Sequence, residues 1–284
     1  MGSTIIIKKA HFSRVSIGHV DIPIELSEDT LAWIALSGNT TMTNEQKYAL
    51  DDFITTLKTS SVYNKIDKMH LPLLASDKTH ALVDYKNKKD DAIQALLDVY
   101  TFRNHGILSE TLVTNTPKID PDYQRSISDI SLYCFATEGM SEVNVGTLNY
   151  FNSVGGDHSN SVELATYKDS NNVQIRCNIM GNAYRYSADT TAAKFSPGFF
   201  GFSINNDTIM YMKRDGSVES TSAGDYTDAV CTGYSLLGIN KNSDVQHSAT
   251  GAFIVGSALT NEEVTLLRNA IVTLATALGV LVVE

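Results

Sequence analysis

The hydrophobic period of this chain changes along its length, and that change constrains the fold more than any other feature. From about Ser126 apolar residues fall into short alternating runs. Ile130, Leu132 and Cys134 alternate with Ser131, Tyr133 and Phe135, and Val173, Ile175 and Cys177 alternate with Gln174, Arg176 and Asn178. Successive side chains of a strand point to opposite faces, so a period of two marks a sheet. Residues 199–204 and 208–212 read as further strands, and Asp215-Gly216 predicts a hairpin with a type I′ turn. Strands at intervals of roughly 8 to 12 residues predict a sandwich or jelly roll.

Helical periods flank this region. Thr43 with Gln46 forms a capping box, after which Leu50, Phe53 and Leu57 share one face. The spacing of Val62, Ile66 and Met69 predicts a second short helix stopped by Pro72, and residues 91–99 a third. Near the end, Thr260 with Glu263 forms another capping box. Val264, Leu267, Ile271, Leu274 and Leu278 then make one stripe for the core, and Gly279 is a suitable left-handed stop. Residues 280–283 are read as a last strand. At the start, residues 1–27 are rich in β-branched side chains and hold Pro23, which suits an extended arm for assembly or a strand added to the main sheet.

Composition narrows the function classes. Hydrophobic residues are 43% of the 284, enough for a sizeable core and against wholesale disorder. Lys plus Arg number 22 against 32 Asp plus Glu, a net charge of −10, which argues against a nucleic-acid surface. The most basic run, Lys86-Asn87-Lys88-Lys89, is followed at once by Asp90-Asp91 and reads as a solvated turn. The apolar run Ile5-Ile6-Ile7 is too short for a secretion signal, Ile6 stands where N-myristoylation needs Ser or Thr, and the 270–283 stretch is too short to span a bilayer. A soluble protein made in the cytoplasm is expected, without membrane insertion. The last helix carries Glu262 and Glu263 against one Arg268, a poor pattern for a membrane surface. Cys134, Cys177 and Cys231 lack metal-ligand spacing and are odd in number, so buried thiols are expected rather than a zinc site or a disulfide framework.

The motifs of catalysis are missing. The chain has no phosphate loop, dinucleotide-binding turn, H-E-x-x-H pair or G-x-S-x-G elbow. Gly155-Gly156-Asp157-His158 lies between expected strands and reads as a turn. Glycosidases need a pair of carboxylates across the scissile bond, and no strand carries an E-x-D-x-x-E run. Glu138 and Glu142 flank Gly139, and Asp215 belongs to the hairpin. The acidic metal loop of legume lectins is missing too. Sugar stacking is a separate question, since the chain has 13 tyrosines. Tyr184 and Tyr186 share a strand face, as do Tyr211 and Lys213, yet Tyr is also an ordinary packing residue of strands. Trp33 lies in the helical region and reads as core.

The order of motifs resembles structural proteins of tailed phages that infect Bacteroidetes, crAss-like phages included. The run Trp33-Ile34-Ala35-Leu36-Ser37-Gly38 precedes the Thr-rich cap and the helix ending Leu57-Lys58. Residues 62–69 follow, with Tyr63 where the family has Trp and His70-Leu71-Pro72 where it has Tyr-Pro. The strand 130–135, the run Gly198-Phe199-Phe200-Gly201-Phe202-Ser203, the 211–216 hairpin, Gly251-Ala252-Phe253 leading to Leu259-Thr260-Asn261-Glu262-Glu263, and a closing Leu278-Gly279 complete it. The resemblance covers 31–279. It implies a concanavalin A-like jelly roll in a head fibre, tail fibre or neighbouring appendage, and it carries over no catalytic residue.

The expectation is a mainly β chain with added helices: an arm at 1–27, a helical segment at 28–105, and a jelly-roll sandwich with its C-terminal helix packed on it at 106–284. It is expected to be a virion structural protein that forms a homotrimer and contacts capsid or tail proteins. Host-surface glycan is a further partner; nucleic acid is not. A glycan-binding adhesin acting through loops at one end of the sandwich is the alternative, ahead of a depolymerase. No catalytic, cofactor or metal residue is assigned, and the ligand-binding residues are left open.

Overall fold

The computed structural model describes residues 25–90, 100–108, 118–138, 148–155, 161–168, 173–180, 183–190, 197–236 and 249–280. Its helices are α1 (Glu28–Ser37), α2 (Asn44–Lys58), α3 (Val62–Lys65) and α4 (Asn261–Ala277). Its strands are β1 (Ile66–His70), β2 (Val83–Asp84), β3 (Lys89–Asp90), β4 (Thr101–Arg103), β5 (Gly106–Leu108), β6 (Asp120–Ser126), β7 (Asp129–Ala136) and β8 (Leu148–Gly155), followed by β9 (Ser161–Lys168), β10 (Val173–Ile179), β11 (Ala183–Thr190), β12 (Gly198–Asn205), β13 (Thr208–Met212), β14 (Val218–Ser222), β15 (Val230–Leu236) and β16 (Thr250–Gly256). Of the arm expected at 1–27 only 25–27 are described, with Ser27 capping α1; the helix expected at 91–99 and all but Val280 of the strand expected at 280–283 lie outside the described residues.

Two antiparallel sheets face each other. The larger runs β14-β13-β12-β7-β16-β1-β2-β3, with β5 also pairing β16 and β4 pairing β5, and the smaller runs β11-β10-β9-β8-β15-β6. The chain is a mainly β sandwich with added helices. Between the sheets lie Ile130, Leu132, Cys134, Phe200, Phe202 and Phe253 of the large sheet, against Val162, Leu164, Ile175, Cys177 and Leu236 of the small one. The other face of the large sheet is covered as well. Tyr133, Phe135, Phe199 and Ile254 pack there against Trp33, Phe53 and Leu57 and against the α4 stripe of Leu267, Ile271 and Leu274. Central strands β12 and β16, like β7, are therefore buried on both faces, and the molecule has three layers: helices, large sheet, small sheet.

Both capping boxes form. Thr43 Oγ1 accepts from Gln46 N and Thr260 Oγ1 from Glu263 N, and each partner side chain reaches back to the cap's own N–H. The expected second helix is corrected. Only Val62–Lys65 is helical, and Ile66–His70 is a strand that pairs with β16. The physical reason is a β-bulge between Ile66 and Lys68. A bulge inserts one residue and shifts the face parity. Ile66 and Met69, three apart, thereby reach the same apolar cluster, and a bulged strand imitates helical spacing. As a result strands of the 28–105 segment belong to the large sheet.

The hairpin at Asp215-Gly216 is also corrected in type. Gly216 is left-handed at φ 87° while Asp215 is not among the positive-φ residues. Gly216 N donates to Lys213 O and Lys213 N to Ser217 O, both at 2.9 Å. This is a three-residue loop closed by a glycine bulge. Asp215 needs no left-handed backbone there, and its carboxylate accepts from Ser217 N at 2.8 Å.

The sheets are tied at one edge by charge. Lys68 of β1 reaches Asp120 of β6 at 2.8 Å and Asp84 at 3.4 Å. Beside it Asp67 accepts from Tyr123 Oη at 2.8 Å and Arg125 Nη1 at 3.1 Å. In the helical layer Lys58 and Lys88 hydrogen-bond Asp29 and hold its carboxyl below the usual range. Burial pushes Glu263 up, but bonds from Lys65 and Ser61 outweigh it and leave this group lowered too. Ser126 and Ser128 lower Asp228 in the same way.

A carboxyl whose folded pKa is lowered stabilises the fold above its unfolded pKa, and that contribution is lost as pH falls through the folded value. The denaturant midpoint should therefore be level from about pH 5 to about pH 7 and decline below about pH 4, near the unfolded carboxyl values. Urea titrations across this range check it, and a midpoint that rises on acidification would contradict the assignment.

Candidate functional site

The outer face of the small sheet carries a polar row that its strand register assembles. Ser235 of β15 pairs with Ser153 of β8, Ser153 with Glu163 of β9, and Glu163 with Asn178 of β10. Directly paired residues share a face, and neighbouring strands lie about 4.8 Å apart. The row thus crosses four strands on the side opposite Val154, Val162, Leu164, Cys177 and Leu236, which face the core. Alternation along each strand is the local cause: Glu163 stands between Val162 and Leu164, and Asn178 between Cys177 and Ile179.

All four side chains are buried, Glu163 and Asn178 completely. Glu163 accepts from Ser161 Oγ at 3.1 Å and from Asn178 Nδ2. The hydroxyls of Ser153 and Ser235 have no hydrogen-bond partner among the described residues. A buried hydroxyl without a partner costs free energy, so such a group in a native fold calls for an explanation. Along β10 the row opens: Arg176 and Gln174, two and four residues before Asn178, are half-buried, and Arg176 Nη2 lies 3.4 Å from Gln174 Oε1. Register puts Tyr184 of β11 beside Asn178 and Tyr186 beside Arg176. The half-exposed Arg176 guanidinium and Gln174 amide suit the acceptors and donors of a polyol, while the buried carboxylate and hydroxyls lie behind them.

The sequence offered Tyr184 and Tyr186 as stacking candidates, showed Gln174, Arg176 and Asn178 only as the polar half of a strand alternation, and missed Glu163, Ser153 and Ser235. The available signal was one acidic residue inside an apolar alternation. Other candidates fall elsewhere. Tyr211 is buried between the sheets and Trp33 under the helices. Lys213 pairs with Glu219 at 2.7 Å, and Glu138 with Arg103 at 3.1 Å. Gly155 ends β8; residues 156–158 and Glu142 lie outside the described residues. The three cysteines are buried thiols. Burial pushes Cys134 up, and pushes Cys231 up to about 11, so these thiols stay protonated. The Lys86–Lys89 run is a turn that leads into β3 at Lys89; Lys86 lies 3.5 Å from the centre of the Tyr63 ring and Lys88 reaches Asp29 at 2.8 Å, which leaves no basic stripe there. Among the described residues no helix is long and apolar enough to cross a membrane, and no group of three or more His, Cys, Asp or Glu could hold a metal ion.

No family model matches the chain, and no curated protein matches it. Among solved structures it is similar to the ligand-binding domain of botulinum neurotoxin serotype D in complex with N-acetylneuraminic acid, at 13% identity and TM-score 0.45, over 74% of this chain and 52% of that one. It is similar to the enzymatically active domain of tailspike protein 2 of bacteriophage CBA120, at 14% and 0.37, over 58% of this chain and 27% of that one. It is also similar to a Ruminococcus gnavus sialidase carbohydrate-binding module bound to α2,3-sialyllactose, at 9% and 0.34, over 54% and 96%. The chain thus spans about half of the toxin domain and about a quarter of the tailspike domain, and no shared ligand or activity follows at these scores.

Proposed function

We propose that this chain is a structural component of a tailed-phage appendage, a head or tail fibre, and that it meets host-surface glycan on the outer face of its small sheet. The observation that carries the glycan contact is the half-exposed pair Gln174 and Arg176 on β10, backed by the buried polar row Ser235–Ser153–Glu163–Asn178. The order of motifs over 31–279 supports the virion reading and points to phages of Bacteroidetes. Assembly as a homotrimer completes the reading, because three weak contacts become intramolecular once the first has formed.

The same row supports binding without cleavage. Glu163 is the only acidic residue in β8, β9, β10 and β15, and hydrolysis of a glycosidic bond commonly uses two carboxylates. The test presents surface polysaccharide from a susceptible host to the purified protein. Retention of intact polymer is expected, with binding weakened by Gln174→Ala and Arg176→Ala while the melting temperature holds. Failure to retain any polymer would overturn the glycan contact. Polymer shortening that disappears in Glu163→Gln would replace it with a depolymerase.

A further inference from the structure

A cleft of about 300 Å³ opens at the end of the small sheet where β10 gives way to Met180 and β15 begins. That volume is at the lower end for small-molecule sites, about 300–1,000 Å³. Ile127 and Cys231, both buried, form its floor; Met180 and Ala229 are half-buried walls; Val230 forms the rim. Val230 is 62% exposed, a large apolar side chain left open to water at the mouth of a cleft that could cover it. Lys118 and the exposed Thr232 complete the lining.

Two backbone irregularities shape this cleft. Met180 holds a left-handed conformation at φ 48°, uncommon for a non-glycine residue, and Gly233 sits at φ 99° in a register shift of β15 against β6. Bulges and strained residues concentrate where a side chain must be re-aimed. Here the effect is on Lys118. A Cβ on Gly233 would stand 2.6–2.7 Å from the Lys118 side chain. The glycine therefore lets that lysine lie flat across the strand, with Nζ 3.3 Å from the Thr232 carbonyl. Lys118 is the only charged group of the lining. The neighbouring Asp228 is engaged by Ser126 and Ser128.

We propose that this cleft is a binding site for a small amphipathic carboxylate, with the apolar body against Ile127, Met180 and Val230 and the carboxylate on the Lys118 ammonium and the Thr232 hydroxyl. The assignment follows from a cleft with an apolar side at Ile127, Met180 and Val230 and a polar side at Thr232 and one cation, Lys118. A neutral hydrocarbon would leave that cation unmatched, and a polyanion would find no second one. The site does not depend on the glycan reading, since it shares no residue with the polar row.

The probes are hexanoate and hexanamide, equal in shape and different in charge, titrated into the full chain and followed by amide NMR shifts. Hexanoate should shift the amides of residues 229–232 and 180 and bind at least about tenfold more tightly than hexanamide, the scale of one charge-assisted hydrogen bond. Lys118→Gln should remove that preference without changing the melting temperature, and Val230→Asp should weaken both probes. Equal binding of the two probes, a Lys118→Gln variant that keeps the preference, or no shift at residues 229–232 would each overturn the proposal.

Discussion

Leu267→Asp is expected to leave the chain unfolded or to lower its melting temperature by ~10 °C or more. Leu267 is fully buried at the centre of the α4 stripe, against the outer face of the large sheet. An unpaired carboxylate there costs several kcal/mol, and each kcal/mol moves the midpoint of a chain of this size by about 2–4 °C. Ile271→Asp, one turn on and equally buried, should behave the same way. Thr273→Asp, on the exposed side of the same helix, should stay within about 0.5 kcal/mol of wild type. Thermal melts of the four proteins decide the matter. If Leu267→Asp melts within a degree or two of wild type, α4 does not belong to this core.

The second large effect is expected at Asp84. This carboxylate is fully buried and is the joint of the turn after β2. One oxygen accepts from the backbone N–H groups of Met69, Lys86 and Asn87 at 3.1–3.3 Å. The other accepts from Asn87 Nδ2 at 2.6 Å and lies 3.4 Å from Lys68. Asp84→Ala would leave buried donors and the nearly buried Lys68 without this acceptor, a loss of about 3–5 kcal/mol for a broken buried pair. Asp84→Asn keeps one acceptor oxygen and should lose less. Urea unfolding measures both. A loss below about 1 kcal/mol for Asp84→Ala would mean that Asp120 alone satisfies Lys68, the net scale of one ordinary hydrogen bond.

These two sites differ in how far the sequence exposes them. The α4 stripe could be read directly, because a helix writes its buried face as spacings of 3 and 4 and Thr260 with Glu263 marks its start. The strand series was legible for the same reason. Asp84 was not, because its partners come from β1 and from the turn around it, and nothing in Val83-Asp84-Tyr85 distinguishes a buried hub from a surface acid. Ile66 and Met69 misled, since a bulge counts residues as a helix turn does. Tyr133 and Phe135, at positions where an open sheet would place polar residues, already implied a cover on the second face of β7, which the helices supply. The polar row was hidden for a different reason. Each member is an ordinary polar position in its own strand, and only the register between strands, a long-range property, sets Glu163 beside Ser153 and Asn178.

The helical cover over the large sheet also has an evolutionary consequence. Substitutions on either side of β7, β12 or β16 strike a packed layer, so selection for stability should hold those strands nearly constant. The outer face of the small sheet is buried at Ser153, Glu163, Asn178 and Ser235 but half-exposed along β10 at Gln174 and Arg176. Positions such as Gln174 and Arg176 can change with little effect on folding, and under the proposed function they would meet the host surface. A phage whose host alters its coat could then shift recognition through this one strip of residues while the scaffold stays the same. Deep mutational scanning should find tolerant and intolerant positions alternating over residues 173–177 of β10, and residues 130–136 of β7 intolerant throughout.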